Sequence, residues 1–213
     1  MITISAFKSV PPIVQGLVRD LRLRWALEEA GLPYQERLLA LGDQSSDQYR
    51  SLQPFGQVPV FEEDGFVLFE SGAIVLYVGE RSEALLPRYK QARARAIQWM
   101  FAAINTIEGP AQQLAEIDLF PGGEEWKKLR RPEVENRLKQ RLLQLAAKLG
   151  ERDYLDGAFT AGDLMMTTVL RIVRHTELVK AEPRLAAYQA RCEARPALQR
   201  ALNAHMAAFQ RAA

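Results

Sequence analysis

Hydrophobic and polar positions change period along this chain, and the change divides it. Ile2, Ile4 and Ala6 alternate with more polar neighbours up to Phe7, the period-two mark of a short strand. Val14, Leu17, Val18, Leu21 and Trp25 follow at helical spacing, predicting a helix over residues 14–30 that Gly31 stops. Pro33 then opens an extended piece through Leu39, so strand, helix and strand imply a parallel pair with a right-handed crossover. Residues 42–57 are polar and predict an irregular helix around Tyr49. Residues 58–62 and 66–69 flank Glu63-Asp64-Gly65, a tight hairpin, and the apolar run from Ala73 to Val78 predicts a helix over residues 70–81.

Beyond Leu86-Pro87 the period becomes helical, and no strand is expected from Gln91 onward. Ile97, Met100, Phe101, Ile104 and Ile107 mark a helix that Gly109-Pro110 should kink. Pro121-Gly122-Gly123 reads as a loop, and the basic run Lys127-Lys128 with Arg130-Arg131 beside Pro132 as a solvated loop and helix start. Leu138, Leu142, Leu145 and Leu149 mark the next helix, which Gly150 ends. Met165, Val169, Ile172 and Val173 mark another, then Leu185, Tyr188 and Cys192, then Leu198, Leu202, Met206 and Phe209. Thr160, with Asp163 three residues on, is a capping box before a buried helix. The pattern predicts a small α/β domain over residues 1–84 and an all-helical domain over residues 90–213.

Composition narrows the function classes. A hydrophobic content of 48% and charged content of 25% belong to an ordinary globular protein, and 213 residues can bury a sizeable core. The net charge of +2 is too small to argue for nucleic acid or a membrane surface. Cys192 is the only cysteine, so an intramolecular disulfide is impossible and a reducing compartment suits the chain. No apolar run approaches the ~20 residues that span a bilayer, and the first residues lack a signal-peptide pattern. Cytoplasmic is the expectation. His175 and His205 stand apart from each other and from carboxylates in sequence, so no metal site is expected.

The chemistry concentrates at Gln57-Val58-Pro59-Val60 and at Glu70-Ser71. Proline interrupts a strand ladder, so Pro59 at the mouth of a short strand marks a bend, and an X-Pro bond can take the cis form. Such a bend leaves the Val58 N–H and C=O pointing outward, where an extended peptide can pair with them as an added strand. One hairpin later, the first N–H groups of the Glu70-Ser71 helix would attract a carboxylate. A backbone clamp beside a carboxylate-binding helix start suits a small peptide with a free α-carboxyl group.

The order of these elements, with the proline-led hairpin and the Glu-Ser helix, resembles the glutathione-binding domain of the cytosolic glutathione transferases. Arg22-Leu23-Arg24 is similar to the Arg-Val-Arg element of that family's first helix, and the Thr160–Asp163 box resembles the folding motif of its second domain. The resemblance implies an α/β thioredoxin-like N-terminal domain plus an all-α C-terminal domain, and a homodimer. It implies glutathione as cosubstrate, its thiolate attacking a small, mostly apolar electrophile. Val58 would pair with the cysteinyl unit, Pro59 would shape the turn, and Glu70 and Ser71 would receive the γ-glutamyl ammonium and carboxylate. Gln57 would reach the ligand too, although an exposed edge glutamine suits it equally.

The family lowers the thiol pKa with a hydroxyl or cysteine after the first strand. Here Leu17, Val18, Arg19 and Asp20 occupy the positions where a serine is expected, and an enlarged segment, residues 8–16, precedes them. Ser9 is the hydroxyl left in that region; it equally suits a helix cap or a solvated loop, and Lys8 and Arg19 are alternatives. Phe7, Met100 and Ile104 are candidate substrate-lining residues, each equally suited to a core. A glutathione-dependent isomerase or peroxidase, and a non-catalytic interaction module of the same fold, are the rival readings.

Overall fold

The computed structural model describes residues 1–210. Strands β1 (Ile2–Phe7), β2 (Tyr34–Leu39), β3 (Val60–Glu63) and β4 (Phe66–Phe69) form one sheet in the order β2-β1-β3-β4. β1 and β2 are parallel from Ile2↔Tyr34 to Phe7↔Leu39, while β3 runs antiparallel to β1 from Ile2↔Glu63 to Ile4↔Phe61. β3 and β4 are joined through Asp64 and Gly65 at φ of 50° and 84°, two left-handed residues of the kind that match a hairpin's twist. Burial follows the alternation read from the sequence: Ile2, Ile4 and Ala6 are buried.

Helix α1 (Asp20–Ala30) makes the crossover between β1 and β2 and ends at Gly31 in the left-handed conformation. It starts six residues later than the spacing predicts. Gly16 has a φ of 76°, which no α-helix accommodates, and residues 12–14 form only a 3₁₀ turn led by Pro12. The Gly16 N–H donates to His205 Nε2 at 3.2 Å instead of to a helical carbonyl. The irregular helix expected around Tyr49 is present as a 3₁₀ turn at Asp43–Ser45 and the short α2 (Asp47–Arg50), capped by Ser46. Helix α3 (Ser71–Gly79) follows β4.

The chain divides into two compact units, residues 1–86 with the chain from Arg195 onward, and residues 87–194. In the second unit lie α4 (Lys90–Phe101), a π-helical stretch at Ala102–Ile107, α5 (Glu108–Leu119), α6 (Glu124–Leu149), α7 (Ala161–Leu170) and α8 (Pro183–Glu193). Among the described residues its only strand-like feature is a bridge between Asp156 and Ala158. The irregularity expected at Gly109-Pro110 takes the form of that π stretch, one turn upstream of the proline that cannot donate a helical bond. All ten residues of α7 are buried. Gly162 permits this, since a Cβ there would sit 2.5 Å from Trp99 Cβ of α4.

Two expectations need correction. The basic run at residues 127–131 is not a loop but lies inside α6, which begins at Glu124 and carries Pro132 within it. Lys127 bonds the Phe120 carbonyl and Arg131 pairs with Asp118, so these cations are tied to the preceding turn and to α5. Helix α9 (Pro196–Gln210) was expected within a helical domain over residues 90–213, yet it groups with the first unit. The reason is α1. α9 packs along it, with Arg195 bidentate to Glu29 at 2.6 and 2.8 Å and Arg200 bonded to Glu28 at 2.6 Å. Residues 211–213 of that expected domain lie outside the described residues. No helix among the described residues is long and apolar enough to cross a membrane.

Candidate functional site

Strand β3 starts at Val60, so the segment before it leaves the sheet. The Val58–Pro59 peptide bond is cis. The Val58 side chain turns inward and packs with Leu39, Tyr49 and Val60, with Phe7, Val18 and Leu52 against them. Among the described residues, neither the N–H nor the C=O of Val58 has a hydrogen-bond partner. This is the unpaired edge expected from the proline. Gln57 is exposed, and its carbonyl accepts from the Tyr49 hydroxyl at 2.9 Å.

Helix α3 supplies the second half of the site. Glu70, its N-cap residue, has φ 70° and ψ 110°, a left-handed backbone rarely adopted outside glycine, and gives no side-chain cap. A non-glycine residue held there costs roughly 1–3 kcal/mol and persists only where the surroundings impose it. Ser71 is buried, and its Oγ accepts from Arg22 Nη1 of α1 at 3.2 Å. Because the hydroxyl oxygen accepts from Arg22, its own proton remains available to a ligand. The guanidinium, the serine hydroxyl and the uncapped amide groups make a concentrated anion-attracting point.

The remaining candidates are placed as follows. Ser9 lies exposed in the loop after β1, with no side-chain hydrogen bond among the described residues. Lys8 is exposed too, and its backbone N–H donates to the Leu39 carbonyl at 2.8 Å. Phe7 is half-buried against the Val58 cluster, which gives it a core role on that side. Met100 is 4% exposed in α4, and Ile104 is half-buried in the π stretch. The histidines do not stand alone as their sequence positions implied: His205 Nδ1 meets Asp20 at 3.0 Å, and His175 Nε2 meets Asp118 at 3.2 Å. Chain folding brings together groups 185 and 57 residues apart. Among the described residues, no three His, Cys, Asp or Glu side chains gather as metal ligands would.

Residues 14–80 match the family model of the glutathione S-transferase N-terminal domain. Over 184 aligned residues the chain is 32% identical to glutathione S-transferase 4 of Zea mays, covering 81% of this chain and 82% of that protein. The chain belongs to the glutathione S-transferase family. Glutathione S-transferase hmp2 of Hypomyces subiculosus is 40% identical over 100 residues, or 40% of this chain; the chain spans 47% of that relative's length. A glutathione transferase from Burkholderia graminis, solved with two glutathione molecules bound per subunit, superposes with a TM-score of 0.82 at 27% identity. That match covers 95% of this chain and 87% of the other.

Within this glutathione S-transferase fold, three residues that the sequence reading did not assign to the site support it directly. Arg22 reaches Ser71, and the Arg22-Leu23-Arg24 element was the signal that marked it. Ser5 and Tyr49 hold the two ends of the Gln57–Val60 segment, and no sequence signal joined them. Burial pushes the Tyr49 phenol up, with the Ser5 hydrogen bond opposing, so the hydroxyl keeps its proton at neutral pH.

Proposed function

We propose that this protein conjugates the glutathione thiolate to a small, mostly apolar electrophile, with glutathione as cosubstrate. The observation that carries the reading is the pairing of an unpartnered Val58 backbone with the uncapped, Arg22-backed start of α3. An extended tripeptide needs both. Its cysteinyl unit would pair with Val58 N–H and C=O, with Pro59 shaping the turn and Gln57 alongside. Its γ-glutamyl carboxylate would accept from Ser71 and the first amides of α3, and its ammonium would meet the Glu70 carboxylate. The glutathione-bound state of the Burkholderia neighbour supports the ligand assignment.

Ser9 is our assignment for thiol activation. Its hydroxyl would donate to the sulfur, lowering the thiol pKa so that thiolate exists at neutral pH. The thiolate then attacks the electrophilic carbon, a thioether bond forms, and the leaving group departs with the bonding pair. The protein is read as a homodimer, and exposed Phe55, edge-on to Phe69 at 6.1 Å, is an apolar ring that a second copy would cover.

The test is a turnover assay with glutathione and an activated aryl halide, with the thiolate absorbance of bound glutathione followed against pH. Formation of the thioether is expected. Ser9→Ala should raise the thiol pKa and cut neutral-pH turnover about ten-fold or more, as one bond to a charged group implies. Superimposable titration curves would remove Ser9 from the role and leave it to Lys8, Arg19 or backbone amides.

A further inference from the structure

We propose that Ser5 and Tyr49 are positioning residues: a buried two-hydroxyl relay that aims the Val58 amide at the peptide ligand. The inference rests on the glutathione-binding reading given above. Three hydrogen bonds make the relay. Val60 N–H donates to Ser5 Oγ at 2.7 Å, Ser5 Oγ lies 2.7 Å from Tyr49 Oη, and Tyr49 Oη–H donates to the Gln57 carbonyl at 2.9 Å.

Proton counting fixes the direction. A carbonyl only accepts, so the single Tyr49 proton goes to Gln57, and Ser5 must donate to Tyr49. Each hydroxyl therefore accepts once and donates once. The relay starts at one end of the Gln57–Val60 segment and finishes at the other. Ser5 and Val60 are 0% exposed and Tyr49 4%, so water does not readily replace either hydroxyl; Gln57, whose carbonyl ends the relay, is the one exposed residue in it.

Register explains why a side chain is needed at Val60. β1 pairs with β3 as far as Ile4↔Phe61, and the next opposing pair would be Ser5 with Val60. The ladder stops there, and the Ser5 hydroxyl takes the amide that the ladder drops. At the other end, the Gln57 C=O and the Val58 N–H belong to one planar peptide unit, and in a trans unit they point in opposite directions. Fixing the carbonyl toward Tyr49 thus turns the Val58 N–H away from it, toward the side where the segment has no protein partner. The Tyr49 ring packs with Val58 and Val60, which leaves the hydroxyl as the group that sets the orientation of this peptide plane.

Tyr49→Phe keeps the ring and removes the bond. The experiment compares calorimetric glutathione affinity and melting temperature for wild type, Tyr49→Phe and Leu52→Ala, the last a packing change on the same cluster that removes no donor or acceptor of the relay's three hydrogen bonds. Tyr49→Phe is expected to raise Kd roughly five-fold, the worth of about one hydrogen bond, while Leu52→Ala lowers the melting temperature without moving Kd. Equal Kd in wild type and Tyr49→Phe, or equal loss in both variants, overturns the relay. A wild type that shows no binding overturns the glutathione reading itself, a separate failure. Amide exchange on ¹⁵N-valine protein needs no variant: in ligand-free protein Val58 should exchange fast and Val60 slowly, with Val58 becoming protected on adding glutathione. A Val58 amide already protected without glutathione contradicts the proposal.

Discussion

At the start of α7, Thr160 and Asp163 satisfy the first amides from within the chain; at the start of α3, Glu70 offers no cap. Asp163 accepts from Thr160 N–H and Leu155 N–H, both at 2.9 Å, from the Tyr188 hydroxyl at 3.1 Å and from the Thr160 hydroxyl at 3.2 Å, while Thr160 Oγ1 accepts from Gly162 N–H at 3.2 Å. Each of these donors has an internal partner, and residues 160–163 are all buried. α3 has the opposite construction. Its cap residue is held at φ 70°, its leading serine is engaged by a cation, and its first amides receive no side-chain cap from Glu70. A helix start closed by its own chain serves folding, whereas one left open beside an arginine leaves its amides for an external anion, as the proposed function requires.

The largest effect should come from breaking the closed start. Asp163→Ala strips the acceptor from four donor groups in a dry environment, and we expect a loss of about 3 kcal/mol. For a chain of this size that lowers the melting temperature by roughly 6–12 °C. Glutathione affinity of the folded protein should remain near wild type. A variant with wild-type melting and lost binding would reverse the roles assigned to the two helix starts.

Breaking the open start should do the converse. Ser71→Ala removes a hydroxyl donor to a carboxylate, a charge-assisted bond worth roughly 1.5–3 kcal/mol. Calorimetry should show affinity lower by about ten- to a hundred-fold, with melting changed far less than by Asp163→Ala. An unchanged Kd would remove Ser71 as an anchor.

A smaller, pH-dependent contrast sharpens the comparison. Burial pushes the Asp163 carboxyl up, and the hydrogen bonds it accepts only partly oppose this. Its folded pKa lies above the unfolded value, so its contribution to stability is full below the unfolded pKa and is lost as pH rises through the folded one. Asp20 behaves oppositely. Burial pushes it up, but the bond to His205 and the paired Arg24 at 2.7 Å pull it below the usual carboxylate range. Its contribution is present above the unfolded pKa, about 3.9, and is lost as pH falls through the lower, folded pKa. Melting curves of Asp163→Asn and Asp20→Asn against wild type should therefore diverge in sign: on acidification from neutral pH, wild type gains on the first variant and loses on the second. Parallel curves would mean that the two carboxyls are not held in opposite directions.

The same two helix starts show what a sequence reveals. Thr160-x-x-Asp163 was legible because the capping geometry lies within four residues. The hairpin was legible for the same reason, with Asp64-Gly65 and β4 falling where expected. Positions governed by distant partners were not. The first helix was read from residue 14 because apolar spacing continues through Gly16, whose N–H is engaged by His205 from 189 residues away. Pro132 suggested a helix start, yet α6 already runs through it. Ser5 and Tyr49, 44 residues apart, carry no periodic mark of their pairing. The proposed glutathione contacts Val58, Glu70 and Ser71 were visible as types and order, while the Arg22 bond to Ser71 needed the fold.

On the proposed function, the open start of α3 receives the γ-glutamyl carboxylate of glutathione beside the Val58 backbone. The most direct measurement is a paired calorimetric titration of the wild-type protein with glutathione and with an analogue whose γ-glutamyl α-carboxylate is an amide. Saturable binding of glutathione is expected, with at least a ten-fold weaker Kd for the amide, since a charged contact is replaced by a neutral one. Equal affinity for the two ligands, or no binding of glutathione, would contradict it.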